Sequence, residues 1–580
     1  MQLTSWLDRP LVLTATFALL LTGALGGLHA VSTGAGCTSL VVASSLEKAT
    51  LLQQAAGDFN SQGSQVGSGC IHVRVEPVAS GDAEQGLLGD WPRQLGERPD
   101  VWSPAATAWI LLSHQHRQAR GLPPIADTDS PSLFQSPLVV AMPEPMARAM
   151  GWPDHPIGWS EIYQLAQDPN GWARYGHPEW GAFRLGKTSP DVSTSGLHSL
   201  IGTYFAASGK TSDLTEQDLR DAKVTSFVKA VESSVVHYGD TAFTFLTNLR
   251  AADQRDTSLS YVSAVAVEEK EVWNYNRGNV TGDPSLGPTS LPPRIPLAAV
   301  YPREGTLFAD HPFAVLDGNW VSPAKRRAAD RFLSYLSSPS RQRAFQAQGF
   351  RDRFGVAGAE ISSRYDLDPR KPSTVLRLPS PPVLAAVQAS WDTLRKRARL
   401  LIIVDLSAAV GAPALAAMRS PLIASLSELG DDDEVGLWET PGSGAGFDQV
   451  VSVAPLAADR GLLKSSIDGL SPANHAAAVI DAVKAGSASL GGTEFDSSRI
   501  QAIILISAGR GLDPVQVDPL LRQLLAQPAG RLIRVFTVAD GNQPDTTTLA
   551  RIALASGAGY YRANSPGAFH DLLLAVLSNF

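Results

Sequence analysis

Few stretches of this 580-residue chain gather the residue types that chemistry needs. One is Asp405-Leu406-Ser407, which ends the apolar run Leu401-Ile-Ile-Val404. Such a run reads as a buried strand. An acid and a hydroxyl at the carboxyl end of a parallel strand stand where open α/β sheets place ligands, and oxygen donors suit a hard divalent cation. The plainer reading is that Asp405 and Ser407 cap the helix that follows. A second pattern, Gly181-Ala-Phe-Arg-Leu-Gly-Lys-Thr188, has the spacing of a phosphate-binding loop. A working loop follows a buried strand and opens a helix at its Gly-Lys pair. Here residues 182–185 read as the strand itself and Pro190 follows soon after, so the match is read as chance. Hydroxyls recur after successive strand-like runs: Ser44 and Ser45, Ser80 beside Gly81, Ser103, then Ser193, Thr194 and Ser195. Taken singly, each is an ordinary helix cap. Neither Gly-x-Ser-x-Gly nor His-Glu-x-x-His occurs, and the acids Glu268-Glu269 read as a solvated helix face.

The elements that must position these residues are too many for one core. A chain of this length predicts two to four domains of roughly 100–200 residues. The net charge of −8 and the lack of a basic block argue against nucleic acid as a partner. The two cysteines, Cys37 and Cys70, follow a hydrophobic N-terminus and suit a single disulfide in an exported protein. Residues 11–31 carry no charge and are long enough to cross a bilayer as one helix. Cleavage signals before Cys37 are poor, so residues 1–36 are expected to remain as a membrane anchor, with the bulk of the protein outside.

From Cys37 to Ala119 strand and helix signals alternate. Ser39–Ser44 and Ile71–Pro77 read as strands, and Pro99–Pro104 as a third leading into a helix. The order βαβαβ predicts a parallel sheet with right-handed crossovers. Val42–Lys48, Val78–Gly81, Pro99–Pro104, Phe183–Gly196 and Tyr301–Thr306 resemble, in that order, an extracellular solute-binding protein of the class II periplasmic-binding fold. The resemblance spans about residues 37–360. It implies two lobes over residues 37–365, with the chain crossing near 136–142 and 296–315. It also implies a cleft that holds oxyanions with hydroxyls and helix-start N–H groups. Its candidate lining is Ser44, Ser45, Ser80, Gly81, Ser103, Ser193, Thr194, Ser195, Tyr301 and Glu304.

Residues 366–397 read as a Pro- and Ser-rich linker with a helix near 383–396. Strand and helix signals then alternate to the end. Residues 398–580 resemble a doubly wound, Rossmann-like von Willebrand factor type A domain, opening with Asp405-x-Ser407. Metal-binding members of that family supply five oxygen ligands. Asp405 and Ser407 match two of those positions; the other three align with Ala409, Ala477 and Ala508. A degenerate metal loop with no Mg²⁺ is therefore expected, and no cofactor elsewhere.

The fold expected is α/β throughout. The function expected is that of a non-enzymatic, membrane-anchored, actinobacterial-type extracellular binding or adhesion protein. It would capture a small ligand or envelope component in the first cleft and a protein partner through the type A domain. The receptor of an ABC-type importer is the alternative. A cell-envelope enzyme is the third reading, without a catalytic constellation to carry it.

Overall fold

The computed structural model describes residues 37–580 apart from 67–68, 240, 284–290, 442–445, 474–477, 494, 511, 513, 529, 541–543 and 563–567. The expected anchor at 11–31 lies outside the described residues. Among the described residues no helix is long and apolar enough to cross a membrane.

Three sheets with flanking helices make up the α/β architecture. The first runs in the order Ala314–Val315, Val101–Ser103, Thr38–Ser44, Gly69–Pro77, Gln65–Val66. Thr38–Ser44 is its central strand, and Leu40 to Val42 are fully buried because helices cover both faces. The helix Leu46–Ser61 turns Leu52, Ala55, Ala56 and Phe59 inward, the spacing of one apolar stripe. Parallel pairing sets Ser44 opposite both Pro77 and Ser103, so three strand ends meet at one edge. The sulfurs of Cys37 and Cys70 are bonded beside this sheet.

The chain crosses on Ser136–Pro143, buried along its whole length, into the second sheet. That sheet runs Phe308–Ala309, Ser136–Pro143, Ala264–Glu268, Leu185–Thr188, Val235–Gly239, with Leu297–Val300 also paired to Ser136–Pro143. The chain returns through Phe308–Ala309 in the second sheet to Ala314–Val315 in the first. Residues 310–313 thus pass between the lobes.

The third sheet runs Asp448–Pro455, Glu434–Thr440, Ala398–Asp405, Ile500–Ser507, Arg534–Ala539, Tyr560–Arg562. The edge strand Asp448–Pro455 is antiparallel and the rest are parallel. Helices on this sheet include Leu456–Gly469 and Val479–Gly491, and the Ala478 N–H before the latter donates to the Thr440 hydroxyl at 2.8 Å.

The stretch read as a linker is docked. Its helix, Pro381–Leu394, packs on Thr107–Ala119 of the first lobe and on Thr194–Ser208 and Ala222–Ser233 of the second. Tyr204 Oη donates to Ser390 Oγ at 2.7 Å, and Trp391 meets the Tyr238 ring edge-on. The third sheet adjoins the second lobe: Tyr238 N donates to Asn579 O at 2.9 Å and Arg534 Nη1 to Val236 O at 3.2 Å.

Candidate functional site

The strand ends of the two lobes face each other across a cleft, and in this structure the lobes touch. Gly81 N donates to Val192 O at 3.0 Å, and the Trp109 indole N–H to Thr194 Oγ1 at 2.7 Å. Between them lies a cavity of about 40 Å³, lined by Glu47, Ser80, Ser193, Thr194, Ser195, Glu268 and Glu271 among others. It has room for a few water-sized species. A larger open depression of about 410 Å³ lies near Lys210 and Thr215, far from the strand ends. Its Lys210 ammonium is tied to Asp218 at 2.6 Å, so the cleft is the better candidate.

The hydroxyl candidates divide. Ser80, Ser193, Thr194 and Ser195 line the cavity. Gly81 makes the close approach, since a Cβ there would stand 1.9 Å from Asp191 O. Ser44 Oγ donates to Ser45 O, and Ser103 Oγ to Pro312 O at 2.7 Å, which pins the return crossing. Ser45 sits at the N-cap position, yet its hydroxyl engages Glu47 and Lys48. Tyr301 and Glu304 are used elsewhere. Tyr301 donates to Glu269. Glu304 accepts from the N–H groups of Trp159 and Ser160 at 3.1 and 3.0 Å, capping that helix. Trp109 bridges the lobes through its indole N–H.

Acids as well as hydroxyls face this cavity. Glu268 and Glu269, read as a solvated face, are buried. Glu269 takes a bidentate pair from Arg351, at 2.8 and 2.7 Å. Glu268 ends the strand Ala264–Glu268 and points into the cleft, with Glu271 one helical turn on accepting its N–H at 2.9 Å. Glu47 reaches in from the first lobe. His311, on the return crossing, stands between the two: Nδ1 is 3.5 Å from Glu47 Oε1 and Nε2 is 3.3 Å from Glu268 Oε2. Lys48 is buried beside them, but its ammonium is drawn off to Ser45 Oγ, Ser103 O and Pro104 O. An arriving anion would meet carboxyl groups, with the nearest cation already spoken for.

Burial dominates the electrostatics. It pushes the Lys48 ammonium down to about 8, with Glu47 and Glu268 opposing. It pushes the His311 imidazole down to about 3, helped by Lys48. It holds the Glu268 carboxyl well above the usual range, and Glu47 adds to this. Glu271 is raised likewise by burial and then by Glu268. A neutral imidazole between two carboxyls has one hydrogen to give and one lone pair. Glu47, Glu271 and His311 were not singled out in the sequence, and Glu268 was noted only as part of a solvated face. The signal was present, since Glu268 ends a strand by the same rule that marked the serines.

The Asp405 loop is closed on itself. Asp405 Oδ1 accepts the Ser407 N–H at 2.9 Å and Oδ2 accepts the Ser507 hydroxyl at 2.7 Å. The following helix begins only at Ala412, after Gly411 at φ 83°, so neither Asp405 nor Ser407 caps it as expected. Ala409 and Ala508 offer no oxygen in their side chains, and Ala477 lies outside the described residues. The phosphate-loop match falls on the strand Leu185–Thr188, where Lys187 is buried in an ion pair with Glu232.

Two lobes joined by crossing strands, with a buried polar cleft between them, have the form of a protein that holds a ligand. The family model of bacterial extracellular solute-binding proteins matches residues 40–351, and the chain belongs to that family. An uncharacterized protein of Mycobacterium tuberculosis (strain CDC 1551 / Oshkosh) is 25% identical over 548 residues, covering 90% of this chain and 74% of the relative. Among solved structures, a periplasmic thiamin binding protein is 14% identical, with a TM-score of 0.40, over 62% of this chain and 97% of that one. The periplasmic binding protein AfuA from Actinobacillus pleuropneumoniae is 13% identical, with a TM-score of 0.38, over 62% and 99%. A von Willebrand factor type A structure from Catenulispora acidiphila is 15% identical, with a TM-score of 0.27, over 32% and 42%.

Proposed function

We propose that the protein is a non-enzymatic extracellular binding protein, anchored by residues 11–31. It takes a small ligand between the lobes of residues 37–365 and offers residues 398–580, a type A-like domain with a closed metal loop, to a protein partner. The observation that carries the reading is the buried polar cavity between two lobes in contact, where elements of both supply side chains. Its acids favour a cationic ligand over an oxyanion. The test is a thermal-shift panel of cations, amines, sugars and oxyanions on the full chain, because a ligand of the native state raises its apparent stability. Shifts by cationic compounds are expected. A panel in which no compound shifts the transition would sink the reading.

The importer-receptor alternative shares the cleft but requires the lobes to open and close widely. The helix Pro381–Leu394, laid on both lobes, favours restricted opening. Small-angle scattering with and without ligand separates the two. A large ligand-dependent contraction supports the receptor, and an unchanged envelope supports the restrained binder.

A further inference from the structure

We propose that Glu47, Glu268 and His311 form a binding site for a first-row divalent transition-metal cation at the floor of the cleft, one that ties the two lobes together. The proposal rests on the cleft being the ligand site and names its ligand class. Ligand atoms from the three side chains lie within 4.8 Å of one another. Metal–ligand bonds of about 2.1 Å put the ligand atoms of a tetrahedron about 3.4 Å apart, and the 3.3 Å from His311 Nε2 to Glu268 Oε2 matches one such edge.

The independent observation is unmet hydrogen bonding. His311 is fully buried, yet neither ring nitrogen has a hydrogen-bond partner, and Oε2 of the buried Glu268 has none either. Buried polar groups are nearly always paired, so an unpaired imidazole beside an unpaired carboxyl oxygen asks for a missing partner. A doubly protonated imidazole would donate to both glutamates, but the approach gives a hydrogen bond to neither. A cation supplies a Lewis acid for one imidazole lone pair and for the carboxylates.

The backbone holds the arrangement. His311 sits at φ 42°, with its N–H given to Ala105 O at 2.9 Å and its carbonyl accepting from Leu133 N at 3.0 Å. The neighbouring charges are accounted for. Asp310 is engaged by the Thr107 N–H and hydroxyl at 2.7 and 2.6 Å. Lys48 Nζ, 3.7 Å from Glu47 Oε1, faces Ser103 O and Pro104 O. Glu271 is bonded to the Glu268 N–H, and Lys270 to Asn274. One imidazole with two carboxylates suits zinc or its first-row neighbours better than magnesium, which prefers oxygen and water.

The test uses the full chain stripped with chelator, then titrated with zinc chloride, with magnesium chloride as comparison. One zinc per chain by elemental analysis and a saturable thermal shift, absent with magnesium, are expected. His311→Gln and Glu268→Gln should weaken zinc by at least about 10–100-fold, the loss that follows removal of even an outer-shell partner. Asp405→Asn should leave zinc binding unchanged. Stoichiometric binding unaffected by His311→Gln, or no saturable binding below millimolar zinc, overturns the site. If the variants fail to fold, a zinc-edge anomalous difference map of soaked wild-type crystals decides: a peak among the three side chains supports the site and its absence refutes it. The organic-ligand panel, run in chelator, distinguishes failure of this site from failure of the cleft reading. Shifts that persist there without zinc binding remove the metal and leave the cleft.

Discussion

Replacing Lys187 by Met should destabilise the protein severely and touch no nucleotide chemistry. Lys187 and Glu232 are both buried, with 1% and 0% of their side chains exposed, and form an ion pair. Tyr238 Oη donates to the other Glu232 oxygen at 2.6 Å, and burial with the Glu232 charge holds this phenol well above its ordinary pKa, so it stays a donor. The same Tyr238 accepts the Lys396 N–H at 3.2 Å and donates its own backbone N–H to Asn579 O. The pair thus lies where the second lobe meets the third sheet. Removing one partner of a buried pair leaves an uncompensated charge and costs about 3–5 kcal/mol. With an urea m-value of about 2–3 kcal/mol/M, the first unfolding midpoint should fall by roughly 1–2 M. Replacing both partners, Lys187→Met with Glu232→Leu, leaves no orphan charge, and much of the loss should return. Urea unfolding followed by tryptophan fluorescence measures all four corners of this cycle. A single variant of wild-type stability, or a double variant no better than the worse single, would refute the reasoning. A nucleotide-dependent stabilisation that Lys187→Met abolishes would instead restore the phosphate-loop reading.

Three further outcomes follow from particular contacts. Gly81→Val should prevent the lobes from meeting, because even a Cβ would stand 1.9 Å from Asp191 O; scattering should report a larger radius of gyration, and an unchanged one counts against the interlobe contact. Asp405→Ala should lower stability by about 1–3 kcal/mol by orphaning the Ser407 N–H and the Ser507 hydroxyl, while calorimetry detects no magnesium binding that the variant abolishes; a wild-type isotherm lost in the variant would overturn the closed loop. Asp366, raised to about 6 by burial and then by Glu144, binds a proton in the native state across a window where the unfolded chain has lost it. Its contribution is therefore fullest below about 3.8 and falls as pH rises to about 6. Asp366→Asn, suited to the residue's left-handed φ of 57°, should then gain stability over wild type at pH 7 and little at pH 3.5; melting curves at both pH values check the sign, and a gain confined to low pH contradicts it.

The elements of both α/β regions were legible because a strand covered on both faces leaves a local record. Leu40–Val42 and Ile503–Ile506 are unbroken apolar runs, and their order along the chain dictates parallel pairing. Ser80, Ser193, Thr194 and Ser195, picked out by the rule that ligands gather at strand ends, line the interlobe cavity, and counting oxygens along the Asp405 loop marked three alanines aligned with ligand positions. What the sequence left undecided was the charge of the cleft. Glu47, Glu268 and His311 are separated by more than 40 residues each, and nothing local marks a glutamate as buried. Glu268 and Glu269 are adjacent, yet strand direction turns one into the cleft while Arg351, 82 residues away, receives the other. The helix Pro381–Leu394 likewise carries an apolar stripe that any surface could cover, and only the folded chain lays it across both lobes. Periodicity is a property of neighbours in sequence and survives in one dimension. Burial, pairing of charges and the docking of one element on two others depend on which distant segments the fold brings together, and those were decided by the tertiary structure.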